Sequence, residues 1–175
     1  IAMGALSMGL TEEDLPEIVQ RWRSANKRIV DLWYSIENAA LEVMRTGNPV
    51  GVKGLLLARE GDYNNQQDFF TIALPSGRKL FYAKPFLHVN DKGREAIHYH
   101  GVNQNTKKWE VVSTYGGKLV ENCVQAIARD CLAESLVRIA DAGYQTVMHV
   151  HDEAIIDAPV DSDLESICQL MGQPI

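Results

Sequence analysis

Apolar and polar positions alternate with helical spacing in the first part of the chain, roughly residues 11–46. Thr11 or Asp14 can cap the start of this zone, Asn26 marks a break between two helices, and Gly47 and Pro49 end it. The zone is therefore predicted to be two consecutive helices. They share one apolar stripe, formed by Ile29, Trp33, Ile36, Ala40 and Val43.

The second zone, roughly residues 50–115, contains the short runs of branched and aromatic residues that are typical of strands. The segment PSGR at residues 75–78 predicts a hairpin turn. Polar loops are predicted at residues 61–68 and 90–95. The pattern predicts five strands: VKGLLLA (52–58), DFFTIAL (68–74), KLFYA (79–83), EAIHYHG (95–101) and KWEVVST (108–114).

The third zone begins at Gly116 with a long helix over about residues 118–142. A strand, the turn His-Asp-Glu and a second strand follow at 146–158, and Ser162 with Glu165 can cap a short final helix. The whole pattern predicts an α+β fold in which long helices pack on an antiparallel sheet. The long helix is predicted to bury Val120, Val124, Ile127, Cys131 and Ile139.

Composition and charge restrict the classes of function that the chain can have. The 175 residues suffice for one domain with a core, and their composition is ordinary for a soluble globular protein. No run approaches the roughly eighteen apolar residues of a membrane span. The net charge of −6 argues against a self-sufficient nucleic-acid binder, which usually has a basic surface. A local basic cluster is typical of a solvated helix face: Arg21, Arg23, Lys27 and Arg28.

The cysteines indicate the redox state of the compartment, and the chain ends indicate a fragment. The three cysteines lack metal-ligand spacing, and Cys123 and Cys131 are predicted to be buried thiols of a reducing compartment, in agreement with a cytoplasmic location. The first residues lack the pattern of a signal peptide. The ends IAMGALSMGL and MGQPI predict a piece of a longer protein.

The row His151, Asp152, Glu153 between two apolar runs has three interpretations. The first is a solvated polar turn. The second is a His-x-His metal site of a hydrolase, formed by His149 and His151 with Asp152 as a further ligand; His98 and His100 form a similar alternation. Alternation along a strand places His149 and His151 on one side and Met148 and Val150 on the other.

The third interpretation is a carboxylate held on a tight hairpin for a magnesium ion. Magnesium prefers oxygen ligands and usually takes one or two protein carboxylates, with water and substrate phosphates as the rest. Asp152 suits this role if a second aspartate arrives on a neighbouring strand. The residues alone leave the three interpretations open.

Residues 114–159 resemble the carboxy-terminal palm of family A DNA polymerases, the DNA polymerase I-like enzymes, and especially their phage and prophage branch. A helix containing VQAIARD is followed about 25 residues later by HVHDE, which matches the third palm motif of that family. Residues 1–33 resemble the stretch after the fingers helix, and LPSGRKLFYAKP and YHGVNQNTKKWEVVSTYGGKL resemble the strand-rich segment of the phage-type enzymes. The resemblance covers nearly the whole chain.

The resemblance implies roles for individual residues. Asp152 matches the palm aspartate that binds the catalytic Mg²⁺ ions, two in the complete enzyme, and Glu153 matches the supporting carboxylate beside it. His151 matches the histidine near the primer terminus. Gln125 matches a helix glutamine that reaches the minor groove at the newest base pair, where either pair orientation offers an acceptor. Lys118 and Asn122 are the nearest candidates for the family's other DNA contacts upstream of that glutamine.

The resemblance also implies an organisation and partners. The chain is predicted to be a single partial polymerase domain: a helical fingers-derived part (1–47), a strand-rich insertion (48–115), and the palm helix with the catalytic hairpin (116–175). Its partners would be primer-template DNA, a deoxynucleoside triphosphate and the remaining polymerase domains or a complementary fragment, with no membrane.

The first palm motif, with the other metal-binding aspartate, and the fingers helix are absent from the sequence. The isolated chain is therefore predicted to be inactive. The alternative is a non-catalytic assembly subunit or prophage remnant that binds a partner chain.

Overall fold

The computed structural model describes residues 11, 13–62, 67–89 and 93–173. Segment 1–10, which carries part of the resemblance, lies outside the described residues, as do the centres of the two predicted loops. The described residues form four helices: α1 (Leu15–Ala25), α2 (Lys27–Thr46), α3 (Gly116–Asp141) and α4 (Leu164–Gly172). Their eight strands are β1 (Val50–Val52), β2 (Leu55–Asp62), β3 (Gln67–Ala73), β4 (Lys79–Val89), β5 (Glu95–Val102), β6 (Trp109–Thr114), β7 (Gln145–Val150) and β8 (Glu153–Asp157).

The strands form two antiparallel sheets. Strands β1 to β6 make a six-stranded sheet in sequence order, so each strand pairs with its neighbours along the chain. Strands β7 and β8 make a separate two-stranded hairpin. The predicted α+β fold class is confirmed, with long helices beside an antiparallel sheet.

The core lies between one face of the six-stranded sheet and helices α2 and α3. Apolar burial supplies the main favourable free energy here, at about 25 cal/mol for each Å² removed from water. Further along α3, Leu132 and Ile139 are buried beside Ile167 of α4, and Ser135 Oγ donates to the Met171 carbonyl at 3.0 Å. The largest fully buried side chains among the described residues are Ile36, Val43, Leu57, Phe70, Thr71, Ile72, Leu119 and Ile139.

The helical first zone has the predicted break. At Asn26 the backbone N–H and the side-chain amide both donate to the Trp22 carbonyl at 2.9 Å, and α2 starts at the next residue. Asp14 precedes α1, but its carboxylate accepts from the backbone and hydroxyl of Thr11, so it does not cap the helix as predicted. Ile29, at the start of the predicted apolar stripe, is 43% exposed.

The strand predicted at 52–58 is two strands. Lys53 and Gly54 have φ values of +50° and +83°, and this tight turn reverses the chain between β1 and β2. Strand β4 continues past its predicted end at residue 83 as far as Val89. Pro85 lies inside this strand and has no N–H to donate, and a register shift between Ala83 and Phe86 accommodates it. The PSGR hairpin turn is confirmed.

Helix α3 buries the predicted face only in part. Val120 and Ile139 are buried and Ile127 packs against the core, as predicted, but Val124 is 58% exposed and Cys131 is exposed, whereas Leu119 and Cys123 are buried. The prediction was wrong at Val124 and Cys131 because apolar residues occur on several sides of α3, and periodicity alone does not select the side that meets α2. No helix of the described residues is long and apolar enough to cross a bilayer.

Cys123 is buried, as predicted, whereas the cap of the last helix differs from expectation. Burial raises the pKa of the Cys123 thiol to about 11, which makes it a poor nucleophile at neutral pH. Helix α4 is capped by Asp163, whose carboxylate accepts from the Glu165 N–H at 3.0 Å, and not by Ser162. Hydrogen bonds from the Ser166 hydroxyl and from the Ser166 and Glu165 N–H groups lower the pKa of Asp163.

Gly116 fixes how closely α3 approaches α2. A Cβ atom on Gly116 would lie 2.0 Å from the backbone oxygen of Trp33 and 2.9 Å from the Cβ of Glu37. No side chain can occupy that space, so only glycine permits the observed packing of the two helices.

Replacing Gly116 by alanine would push α2 and α3 apart. We expect the free energy of unfolding to fall by about 2–3 kcal/mol, measured by urea denaturation. Gly117→Ala is the matched control, because its Cβ would meet only the side chains of Tyr115 and Trp33, at 3.0 Å and 3.7 Å. Its cost should stay below about 1 kcal/mol, since alanine favours the helix. Equal losses in the two variants would contradict the close contact.

Candidate functional site

The hairpin β7–β8 has a turn of only two residues, His151 and Asp152, because Val150 pairs directly with Glu153. His151 has a φ of +53°. Positive φ at the first turn residue is the pattern of a type II′ turn, which normally takes glycine there. A non-glycine residue in this region costs on the order of 1–3 kcal/mol, and such strain is concentrated at functional sites.

Asp152 and Glu153 present free carboxylates. Both residues are exposed, and within the described part of the chain neither side chain forms an ion pair or hydrogen bond. Their oxygens are therefore available to a cation or to water. This geometry agrees with both the solvated turn and the magnesium interpretation.

His149 connects the hairpin to α3. As predicted, Met148 and His149 lie on opposite faces of β7, where Met148 pairs with Ile155 and His149 with Ala154. The His149 ring nitrogens lie 3.4–3.5 Å from the Arg129 guanidinium. Because arginine only donates, the imidazole accepts. His151 lies in the turn, so the predicted alignment of His149 with His151 along one strand is wrong.

A line of polar side chains, which we call the polar stripe, runs along α3 toward the hairpin. It consists of Lys118, Asn122, Gln125 and Arg129, whose spacings of four, three and four residues place them on one face of the helix. Three of them are the DNA contacts implied by the resemblance. The fourth, Arg129, meets His149 and so joins the stripe to the hairpin.

Neighbouring residues hold the polar stripe in place. Glu121 accepts from the Lys118 ammonium at 3.0 Å and from the Gln125 amide at 3.2 Å. The Asn122 amide donates to the Tyr82 hydroxyl at 3.0 Å. Burial raises the pKa of Tyr82, so the phenol stays protonated and its position in the core fixes Asn122.

A cleft of about 690 Å³ collects Lys118, Asn122 and Gln125. Its other wall is the turn between β5 and β6, at residues 103–105. Amides on both sides give the cleft many donors and acceptors. The structure therefore brings three of the predicted DNA contacts together in one cleft, while His151, Asp152 and Glu153 lie at the hairpin beyond Arg129.

Asp130 joins α3 to the turn between β3 and β4. Asp130 accepts from the Ser76 hydroxyl at 2.6 Å and from Arg78 Nε at 2.7 Å. Arg78 also donates to the Ala126 carbonyl at 3.0 Å. The Ser76 hydrogen bond, followed by the Arg78 contacts, lowers the pKa of Asp130. These contacts fasten the β3–β4 turn to the middle of α3.

The histidine pairs do not support a hydrolase metal site. His149 faces the Arg129 guanidinium, which opposes a metal cation. His98 stacks on Phe86 at 5.5 Å and meets His88 edge-on at 5.3 Å. No group of three or more His, Cys, Asp or Glu residues suited to a metal occurs within the described ranges.

Sequence reasoning missed three residues of this site. Arg129 was left without a role, although its spacings of seven residues from Asn122 and four from Gln125 could have indicated it. Glu121 and Tyr82 orient the polar stripe through contacts that no local pattern contains.

The chain is similar to the DNA polymerase of Bacillus phage SP02. The two are 49% identical over an alignment of 178 residues, which covers 100% of this chain and 26% of that polymerase. The chain thus spans about a quarter of the length of this relative. No protein-family model and no solved structure matches the chain.

The Asp130 contacts predict a pH dependence. Because the folded pKa lies below the ordinary value of 3.8, ionised Asp130 stabilises the fold above that value, and the contribution is lost as the pH falls through the folded pKa. We expect Asp130→Asn to lower the free energy of unfolding by about 1–2 kcal/mol at pH 7 and by less at pH 3. Asp141→Asn, at the exposed end of α3, is the control and should have little effect at either pH.

The strained turn predicts opposite effects of glycine at the two histidines. His151→Gly should raise the local stability of the hairpin by about 1 kcal/mol, because glycine accepts positive φ. His149→Gly should lower it by a similar amount, because glycine weakens a strand and the Arg129 contact is lost. Amide hydrogen exchange in β7 and β8 measures both. Slower exchange in the His149 variant would contradict this account of the hairpin.

Proposed function

We propose that this chain is the carboxy-terminal part of a DNA-directed DNA polymerase that performs template-directed nucleotidyl transfer, of the family A, phage type. The observation that carries the proposal is the free carboxylate of Asp152 on a strained two-residue turn, next to the end of the polar stripe. The 49% identity with a phage DNA polymerase over the whole chain supports it.

Asp152 and Glu153 fit magnesium as part of a ligand set. Both offer exposed carboxylate oxygens with no competing cation among the described residues, and magnesium needs only one or two such ligands from protein. When bound, two such ions would stabilise the attacking and leaving oxygens of the transfer. Asp152 would be the constant ligand and Glu153 the supporting one.

The remaining residues position the DNA. The primer 3′-hydroxyl attacks the α-phosphate of a deoxynucleoside triphosphate, and pyrophosphate leaves. His151 lies at the turn and would orient the primer terminus. Gln125 and Asn122 would offer amides to the minor groove of the newest base pair, where shape can be checked without reading sequence. Lys118 would contact a backbone phosphate.

The hairpin requires partners from the rest of the polymerase. A two-stranded hairpin is marginal alone, and this one exposes Val147, Met148, Val150 and Ile155, each at 41–61%. A further strand from the remaining domains would cover this face and bring the second metal-binding aspartate. The isolated chain would then be inactive, and it would act as one segment of a larger enzyme on primer-template DNA inside a bacterial or phage-infected cell.

In the complete polymerase, Asp152→Asn should lower kcat by about 10³-fold or more, which corresponds to about 4 kcal/mol of lost transition-state stabilisation. Asp157→Asn removes the same charge from the far end of the hairpin and should leave synthesis nearly unchanged. Primer extension with Mg²⁺ measures both. Full activity of the Asp152 variant would overturn the proposal.

Mixing experiments separate the enzyme from the assembly-module alternative. The isolated chain should incorporate no nucleotide, and adding the complementary fragment should restore synthesis. Binding of that fragment without synthesis would favour a non-catalytic assembly subunit or remnant. Incorporation by the isolated chain would contradict its dependence on the missing domains.

A further inference from the structure

Three clefts meet at Arg23, on the side of the molecule formed by α1 and the start of α3. The first, of about 540 Å³, lies along α1 and is also lined by Lys27. The second, of about 330 Å³, contains Trp22 and Trp33. The third, of about 490 Å³, extends from Trp33 past Tyr115. Arg23 lines all three, so they form one continuous surface.

This surface presents stacked, accessible aromatic rings. Trp22 and Trp33 stack with centroids 5.6 Å apart and planes inclined by 16°. Trp22 remains 45% exposed, and Tyr115, in the third cleft, is 62% exposed. Every nucleobase has a flat face, so such rings bind single strands without regard to sequence.

The cations of the surface are free. Arg21 pairs with Glu17 at 2.8 Å, but Arg23 and Lys27 form no ion pair within the part of the chain that the structure describes. A protein segment packed here would have to bury Arg23 without a carboxylate from this chain, which is costly. A phosphate backbone satisfies both cations, so charge favours nucleic acid as the occupant.

The surface continues into the cleft of the polar stripe. Glu121 and Gln125 line both the third cleft and the cleft that holds Lys118 and Asn122. The Glu121 carboxylate is held by Lys118 at 3.0 Å, which reduces its repulsion of phosphates. A strand lying over Arg23 and Tyr115 would therefore arrive at Gln125.

We propose that these joined clefts form a track for a single-stranded DNA segment, which stacks on Trp22 and Tyr115, contacts Arg23 and Lys27 through its phosphates, and leads to the polar stripe. The track deepens the proposed function and rests on it for the identity of the nucleic acid. It also gives a role to a basic cluster that the sequence alone assigns to a solvated helix face.

The test is a fluorescence titration of the 175-residue chain with an oligothymidylate in about 50 mM salt. Trp109→Phe serves as background, so that only Trp22 and Trp33 report. We expect quenching on binding, and Arg23→Gln should weaken binding about fivefold or more and reduce the salt slope by roughly 0.7. Arg21→Gln, with the same charge change on the same helix, should change binding by less than about twofold.

Trp22→Ala should weaken binding about tenfold through lost stacking, with the fold checked by circular dichroism. No quenching, equal effects of Arg21→Gln and Arg23→Gln, or self-association of the chain without DNA binding would each overturn the track. The last result would indicate a protein partner.

A separate comparison distinguishes failure of the track from failure of the proposed function. Asp152→Asn should leave oligothymidylate binding unchanged while it abolishes synthesis in the complete polymerase. If Asp152→Asn abolishes synthesis but the chain binds no oligothymidylate, the track is wrong and the proposed function stands. If the chain binds oligothymidylate but Asp152→Asn leaves synthesis unchanged, the polymerase site is wrong and only a strand-binding surface remains.

Discussion

The contact between Gly116 and the backbone of Trp33 sets the position of α3, and the rest of the structure depends on it. Because Gly116 has no side chain, α3 can lie so close to α2 that the Trp33 carbonyl takes up the space that a Cβ atom would need. Leu119 and Cys123 are then buried on one side of α3. The polar stripe lies roughly 100° around the helix from this buried side, so the same packing that stabilises the core also orients the polar stripe.

The candidate site is assembled from elements of unequal rigidity. The polar stripe is fixed by the core, since Asn122 donates to a buried tyrosine, and the Asp130 contacts fasten α3 to the sheet. The hairpin is held more lightly, through Arg129 and His149. Its exposed apolar side chains and strained turn leave free energy that packing against a further segment could recover. The structure therefore combines a firmly held polar helix with a lightly held hairpin that carries free carboxylates.

The sequence predicted element types well and contacts poorly. Helical zones, most strands and the break at Asn26 follow from local spacing and turn residues, and the structure agrees with them. The buried face of α3 was wrong at Val124 and Cys131, because the choice of face depends on where α2 packs. The candidate residues on α3 and the hairpin came from resemblance to a family. Their link through Arg129 is a tertiary contact between residues twenty apart, which no local pattern contains.

The strand order of the large sheet has a consequence for how the chain reaches this fold. Strands β1 to β6 each pair with a sequence neighbour, so every pairing closes only a short loop. Loop-closure entropy grows with loop length, and these hairpins are therefore inexpensive to form. The long closure is the one that joins Trp33 to Gly116 across the whole sheet. The largest loop-closure entropy is therefore lost when α2 and α3 pack together, and the sheet that connects them can form beforehand from local hairpins.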